Sequence, residues 1–326
     1  MATHVSPYKC LATFLLASTC FITIFSPLEC SESQTVASPH PKVGKHFDQV
    51  LIIVLENQSY ASAMSDPFLA ELAAKGASFP KFRNLTHPSY PNYLAMIAGA
   101  TFNTEGSDSQ KNFLDDREHR TIADQLDWRN YAENYPGNRK APYLGAKGAK
   151  YGRKHVPFLS FVKIQKEGFD HVVSVDTTTG NPLVTDISNF RKDPGTHPLP
   201  QYMFYSPNLD DDGHDPYFQP KVGLKKGSTW LRHFLEDWLA FDNTTWAPSD
   251  DKMDRLLVIV TYDESEGRGQ NYIYTVFLGR MVKNQQVAGE YNHYSVLRTI
   301  EDNFDLSPLH QESGDGKASL ITEVWK

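Results

Sequence analysis

Two uninterrupted apolar runs constrain this chain more than any other feature. Val50-LIIVL-Glu56 and Leu256-LVIVTY-Asp263 are rich in branched residues, lack polar alternation, and stop abruptly at an acidic residue. A strand exposed on one face alternates polar and apolar residues, whereas a strand covered on both faces reads as one apolar run. Both segments therefore predict central strands of a largely parallel sheet. Between them, Asp66 as N-cap, Pro67 at the first helical position and Gly76 beyond the last predict a helix. Further strands are expected over 170–175, 201–206 and 272–279, with helices over 90–98, 121–134, 228–241 and 293–304. This alternation implies an α/β fold with helices on both faces of the sheet. The segment 136–154, rich in Gly, Lys and Arg and without an apolar period, reads as a surface loop.

Composition bounds the function. The 326 residues, 40% of them hydrophobic, suffice for a large core. A net charge of -7 removes the broad attraction that nucleic-acid or anionic-membrane binding relies on, so nucleic-acid binding is not expected. No segment beyond the first thirty residues is long and apolar enough to span a bilayer, so stable membrane insertion is not expected either. The three cysteines, Cys10, Cys20 and Cys30, all lie in the first thirty residues. There, Lys9 precedes an apolar stretch over 11–25, shorter than the roughly 20 residues that span a bilayer. The layout is that of a signal peptide over 1–30. A polar linker over 31–45 and one domain over 46–326 follow. The expected mature protein is secreted and free of cysteine, with sequons at Asn57, Asn84 and Asn243.

In open α/β sheets, ligands bind beyond the carboxyl ends of the strands. The first run ends in Glu56-Asn57, the 201–206 strand leads into Ser206-PNLDDDGHD, and the second run ends in Asp263-Glu264. Glu56, Asp210, Asp263 and Glu264 at one sheet edge would repel one another unless a cation neutralised them. With His214 among the donors, a divalent ion such as Zn, Mn or Fe fits, and Ca or Mg is also compatible. An EF-hand reading of Asn208, Asp210 and Asp212 fails, because Gln219 holds the twelfth position and Pro216 interrupts the flank. Asp210 and His214 fit better as two ligands from one turn. Ser89, just before an apolar-periodic helix, is either a helix cap or a nucleophile at a helix start. No Gly-x-Ser-x-Gly elbow, Walker loop or His-Glu-x-x-His motif is present.

Taken in order, VLENQSY, HPSYPNYLAMIAG, KHVPF, SPNLDDDGHD, VIVTYDESEG and YNHYSVLRTIEDNF resemble the phosphoesterase family of secreted acid phosphatases and phospholipases C. That family lies within the alkaline phosphatase superfamily. The resemblance implies an alkaline-phosphatase-like fold and one or two divalent metal ions per chain. Glu56, Asn57, Asp263 and Glu264 would hold one ion, which also contacts Ser89. Ser89 would be the nucleophile and form a phosphoserine intermediate. Asp210, His214 and His293 match the second metal site of two-metal members. In single-metal members such histidines contact the phosphate, as His155 and His214 would here. Asn57 as a ligand excludes a glycan at its own sequon. His87, His171, His197 and His233 match no landmark and read as structural or exposed. The function implied is a secreted, metal-dependent phosphomonoesterase of acid phosphatase type, acting on phosphate-ester small molecules. A phospholipase C or other phosphodiesterase is the alternative, and a non-catalytic extracellular binding protein is a third reading.

Overall fold

The first apolar run forms β1 (Gln49–Leu55) and the second forms a strand at Leu256–Tyr262, paired in parallel with Ile53 opposite Val260. The first run has no polar side chain to turn toward water, with Val50 to Leu55 at most 1% exposed, and in the second Thr261 and Tyr262 are buried with the apolar residues. In this computed structural model the described residues are 42–137, 150–176, 178–214, 220–267, 269, 271–310 and 313–326. The expected leader over 1–30 and linker residues 31–41 lie outside them.

The remaining strands of the main sheet are β2 (Ala77–Ser78), β3 (Trp128–Glu133), β4 (Val172–Val175) and β5 (Tyr202–Ser206). They are followed by β6 (Leu256–Tyr262), β7 (Thr275–Leu278) and β8 (Gln285–Gln286). The spatial order of the eight is β8-β2-β7-β6-β1-β5-β3-β4. The five strands from β6 to β4 are mutually parallel, and β7 pairs antiparallel with both β6 and β2. Around the sheet pack α1 (Pro67–Lys75), α2 (Ser89–Ala98), α3 (Pro182–Lys192), α4 (Pro220–His233) and α5 (His293–Asn303). Asp66 caps α1 by accepting from the backbone of Phe68 and Leu69.

One expected element is replaced. The helix over 121–134 is a single 3-10 turn, Ile122–Asp124, followed by strand β3. Thr121 and Asp124 do form the capping box that signals a helix start. The chain leaves that path because Trp128 to Glu133 find paired backbone on both sides, β5 and β4. Sheet pairing in the interior outweighs a local helical period. The helix expected over 228–241 begins earlier, at Pro220, and ends in a π turn, Phe234–Trp238. Helix α3, capped by Asn181 with Pro182 at its first position, was not expected.

Candidate active site

The parallel strands deliver their carboxyl ends to one edge, and hydrogen bonds across that edge fix the polar residues that follow. Asp263 N donates to Leu55 O at 2.9 Å, and Asn57 N donates to Asp263 Oδ1 at 3.0 Å. Glu56 N donates to Asp212 O at 2.6 Å, which joins the end of β1 to the turn after β5. Asn57 takes φ +56, a left-handed conformation that Asn tolerates better than most residues.

Ser89 opens α2, but Pro88 holds the N-cap position and no side chain caps the helix. The cap reading of Ser89 therefore fails, and its hydroxyl is directed elsewhere. Ser89 Oγ lies 3.1 Å from Glu264 Oε1 and 3.4 Å from Glu56 Oε2, and it accepts from Lys154 Nζ at 2.8 Å. Lys154 Nζ also reaches Asp108 Oδ2 at 3.3 Å, while Asp108 Oδ1 accepts from the Tyr90 backbone of α2. His155 Nε2 stands 2.7 Å from Glu56 Oε1, and its ring stacks on Tyr93 at 5.0 Å between centroids. A Cβ on Gly152 would lie 2.8 Å from the His155 ring, so this close approach requires glycine. His87 contributes Nδ1 to Glu264 Oε2 and Nε2 to Asn271 Oδ1.

The electrostatics are those of crowded acids. Burial would raise Glu56, but His155 and Lys154 beside it hold its carboxyl well below the usual range. Burial, then the charge on Glu56, pushes Asp212 and Asp263 well above it. Burial also raises Glu264 to about 7, against the pull of His87. Burial works against the Lys154 ammonium, yet Glu56, Asp263 and Asp108 hold it charged. His293 is buried, bonds the Asp263 carbonyl through Nε2 at 2.9 Å, and is pushed down to about 4 by desolvation.

Most of the expected site residues meet here, and one does not. Glu56, Ser89, Asp263, Glu264 and His155 converge through the contacts above, Asn57 bonds Asp263, and His293 bonds its backbone. His214 donates its backbone N–H to Asp212 Oδ1 at 2.9 Å and helps to lower Glu56. Asp210 lies outside the cluster, 51% exposed and paired with Lys150. The buried acid of that turn is Asp212, because Asn208 O accepts from the backbones of both Asp211 and Asp212 and curls the chain inward. Asp212, Glu56 and His155 present ligand atoms within 4.8 Å of one another. Asn57 Oδ1, Asp212 Oδ2 and Asp263 Oδ2 are buried without a hydrogen-bond partner among the described residues. Orphaned oxygens among crowded, buried acids, with an imidazole beside them, are a donor set that fits a divalent cation.

Lys154, Asp108, Asp212 and His87 belong to this edge although the sequence placed none of them in the site, and His87, expected to be structural or exposed, instead bonds Glu264. Lys154 and His87 adjoin landmark residues, which is a usable signal. Asp108 has none, since only the fold brings it to α2.

A sequence profile of the Phosphoesterase family matches residues 60–307. The chain belongs to the phosphoesterase family. Among similar proteins, a "Probable acid phosphatase" of Kluyveromyces lactis is 31% identical over 85% of this chain and 63% of its own length. A "Phosphatidylinositol-3-phosphatase" of Mycobacterium tuberculosis is 32% identical over 86% of this chain and 83% of its own length. This phosphoesterase thus spans less than two thirds of the yeast relative. A solved structure from Vibrio parahaemolyticus, described as a protein in the alkaline phosphatase superfamily, aligns with TM-score 0.52 at 15% identity. That alignment covers 86% of this chain and 72% of the other, and it shows the shared fold. The expected α/β, alkaline-phosphatase-like class is the one found. No helix among the described residues is long and apolar enough to cross a membrane.

Proposed function

We propose that this phosphoesterase is a secreted, metal-dependent phosphomonoesterase that transfers the phosphoryl group to Ser89. The observation that carries the reading is the Ser89 hydroxyl, released from capping and set among Glu264, Glu56 and Lys154. Relatives named acid phosphatase and phosphatidylinositol-3-phosphatase support the ester class. Glu56, Asn57, Asp263 and Glu264 would hold one ion, with Asp212, rather than Asp210, and His155 facing the same space. When bound, a divalent cation supplies the charge that lowers the hydroxyl pKa and draws off charge from the phosphoryl oxygens.

The protein's own groups do the rest. Ser89 Oγ, at the start of α2, attacks phosphorus as its proton passes to solvent. The P–O bond to the alcohol breaks, and the alcohol leaves with a proton taken from water. Lys154 Nζ, His155 and His214 stabilise the charge on the non-bridging oxygens. Water then attacks the phosphoserine, cleaves its P–O bond, and releases inorganic phosphate and free Ser89. His293, neutral and bonded to the Asp263 carbonyl, keeps the end of β6 in place.

Hydrolysis of an aryl phosphate monoester, a bis-aryl diester and phosphatidylcholine tests the reading, with wild type and Ser89→Ala and with bound metal assayed in parallel. Preference for the monoester, loss of activity in Ser89→Ala and metal in the active enzyme are expected. Preference for a diester would make this a phosphodiesterase or phospholipase C instead, and equal activity of the variant would remove Ser89 as nucleophile.

A further inference from the structure

Glu133, the last residue of β3, is 1% exposed and has no place in the chemistry above. Four hydrogens converge on its carboxyl group. Tyr205 Oη donates to Oε1 at 2.9 Å and Trp230 Nε1 donates to Oε1 at 3.2 Å. Asn208 N donates to Oε2 at 3.1 Å and Asn208 Nδ2 donates to Oε2 at 2.9 Å. Only a carboxylate offers two oxygens that both accept, so an amide here would turn hydrogens against hydrogens.

The donors come from β5, from α4 and from the turn that carries the site. Asn208 in turn organises that turn: its Oδ1 accepts from Asp210 N at 2.8 Å. Its carbonyl accepts from Asp211 N and Asp212 N at 3.0 and 2.9 Å. Asp212 then holds Glu56 N through its carbonyl and His214 N through its carboxylate. A continuous chain of hydrogen bonds therefore runs from Glu133 through Asn208 to Asp212, His214 and Glu56. A second close approach fixes the turn from its other side, since a Cβ on Gly227 of α4 would lie 2.8 Å from Gly213 Cα.

We propose that Glu133 is a positioning residue of the phosphoryl-transfer site, acting through Asn208 to hold Asp212 and His214 in register with Glu56. The role in turnover rests on the function proposed above, while the role in the turn can be read without it. The test uses Glu133→Gln, Asn208→Ala and the double variant in the full chain. Two quantities are measured: kcat/KM on an aryl phosphate, and backbone hydrogen exchange by mass spectrometry.

Residues that orient a site from behind its first ligands typically cost about 10- to 100-fold when changed. That loss in kcat/KM is expected for each single variant, with faster exchange over 206–214 and unchanged exchange over β1 and α2. Because both residues act through one chain, the double variant should be no worse than the weaker single variant. Activity within twofold of wild type, losses that multiply in the double variant, or exchange that rises equally throughout the chain would each overturn the assignment. If Glu133→Gln does not fold, Asn208→Ala, which leaves the Tyr205 and Trp230 bonds in place, decides by the same criteria. If wild type hydrolyses no phosphate ester, the function fails, and exchange over 206–214 alone decides whether Glu133 holds the turn.

Discussion

Lys154 Nζ donates to Ser89 Oγ at 2.8 Å and lies 3.5 Å from Glu56 Oε2, so it is the cation nearest the attacking atom. Its side chain is 23% exposed where Ser89 is 1% exposed, so the lysine borders the solvent side of the hydroxyl. Lys154→Met removes the charge at little change in length. By analogy with deleting one donor to a developing oxyanion, it should lower kcat on an aryl phosphate about 100-fold. Steady-state kinetics with metal content assayed alongside would check this, and an unchanged kcat would make Nζ a bystander. Residue by residue, legibility followed position. Glu56, Asp263 and Glu264 could be read because they end apolar runs whose direction is dictated by burial. Asp210 and Asp212 could not be told apart, since consecutive aspartates in a turn share composition and only the Asn208 hydrogen bonds decide which one faces inward. Lys154 lies at the edge of a basic, period-free segment, where a solvated lysine is the ordinary outcome.

Among the elements, α5 carries an ionisable group unrelated to the site, and it sets a stability prediction. Glu301 is fully buried, and burial together with neighbouring Asp315 pushes its carboxyl up to about 9. Asp315 itself accepts from the backbones of Leu309, His310 and Gly316, tying the 313–317 segment to the turn at 309–310. The folded protein thus keeps a proton that the unfolded chain releases near pH 4.5. This contribution is complete below that pH and is lost as pH rises toward 9, with a slope of at most about 1.4 kcal/mol per pH unit. Glu301→Gln cannot ionise and retains an acceptor for Leu309 N, so its stability relative to wild type should rise steadily from pH 5 to 9. Urea midpoints across that range would check it, and parallel curves for the two proteins would contradict it. Elements were legible where one signal dominated: continuous apolar runs for β1 and β6, and cap plus Pro for α1. They were misread at β3, where an authentic capping box starts a turn that sheet pairing then ends. The missed α3 had a legible Asn181-Pro182 start, but a weakly apolar body.

At the scale of the molecule, an acidic chain with a net charge of -7 is proposed to act on an anionic substrate. The conflict is local in its solution. The parallel sheet gathers Glu56, Asp212, Asp263 and Glu264 at one edge, and the basic side chains that face them, Lys154, His155 and His214, arrive on the loops between strands. The sheet itself was readable in the sequence because each buried strand must be apolar. The loop geometry was not, because it depends on bonds between residues far apart in the chain, such as Glu133 with Asn208. The proposed reaction turns on Ser89 Oγ as the atom that receives the phosphoryl group. Its most direct test is rapid acid quenching of the enzyme during turnover of an aryl phosphate, followed by peptide mapping. A phosphate adduct on the peptide containing Ser89, absent from Ser89→Ala, is the predicted result. Turnover with no adduct on Ser89, or with the adduct on another residue, would contradict it.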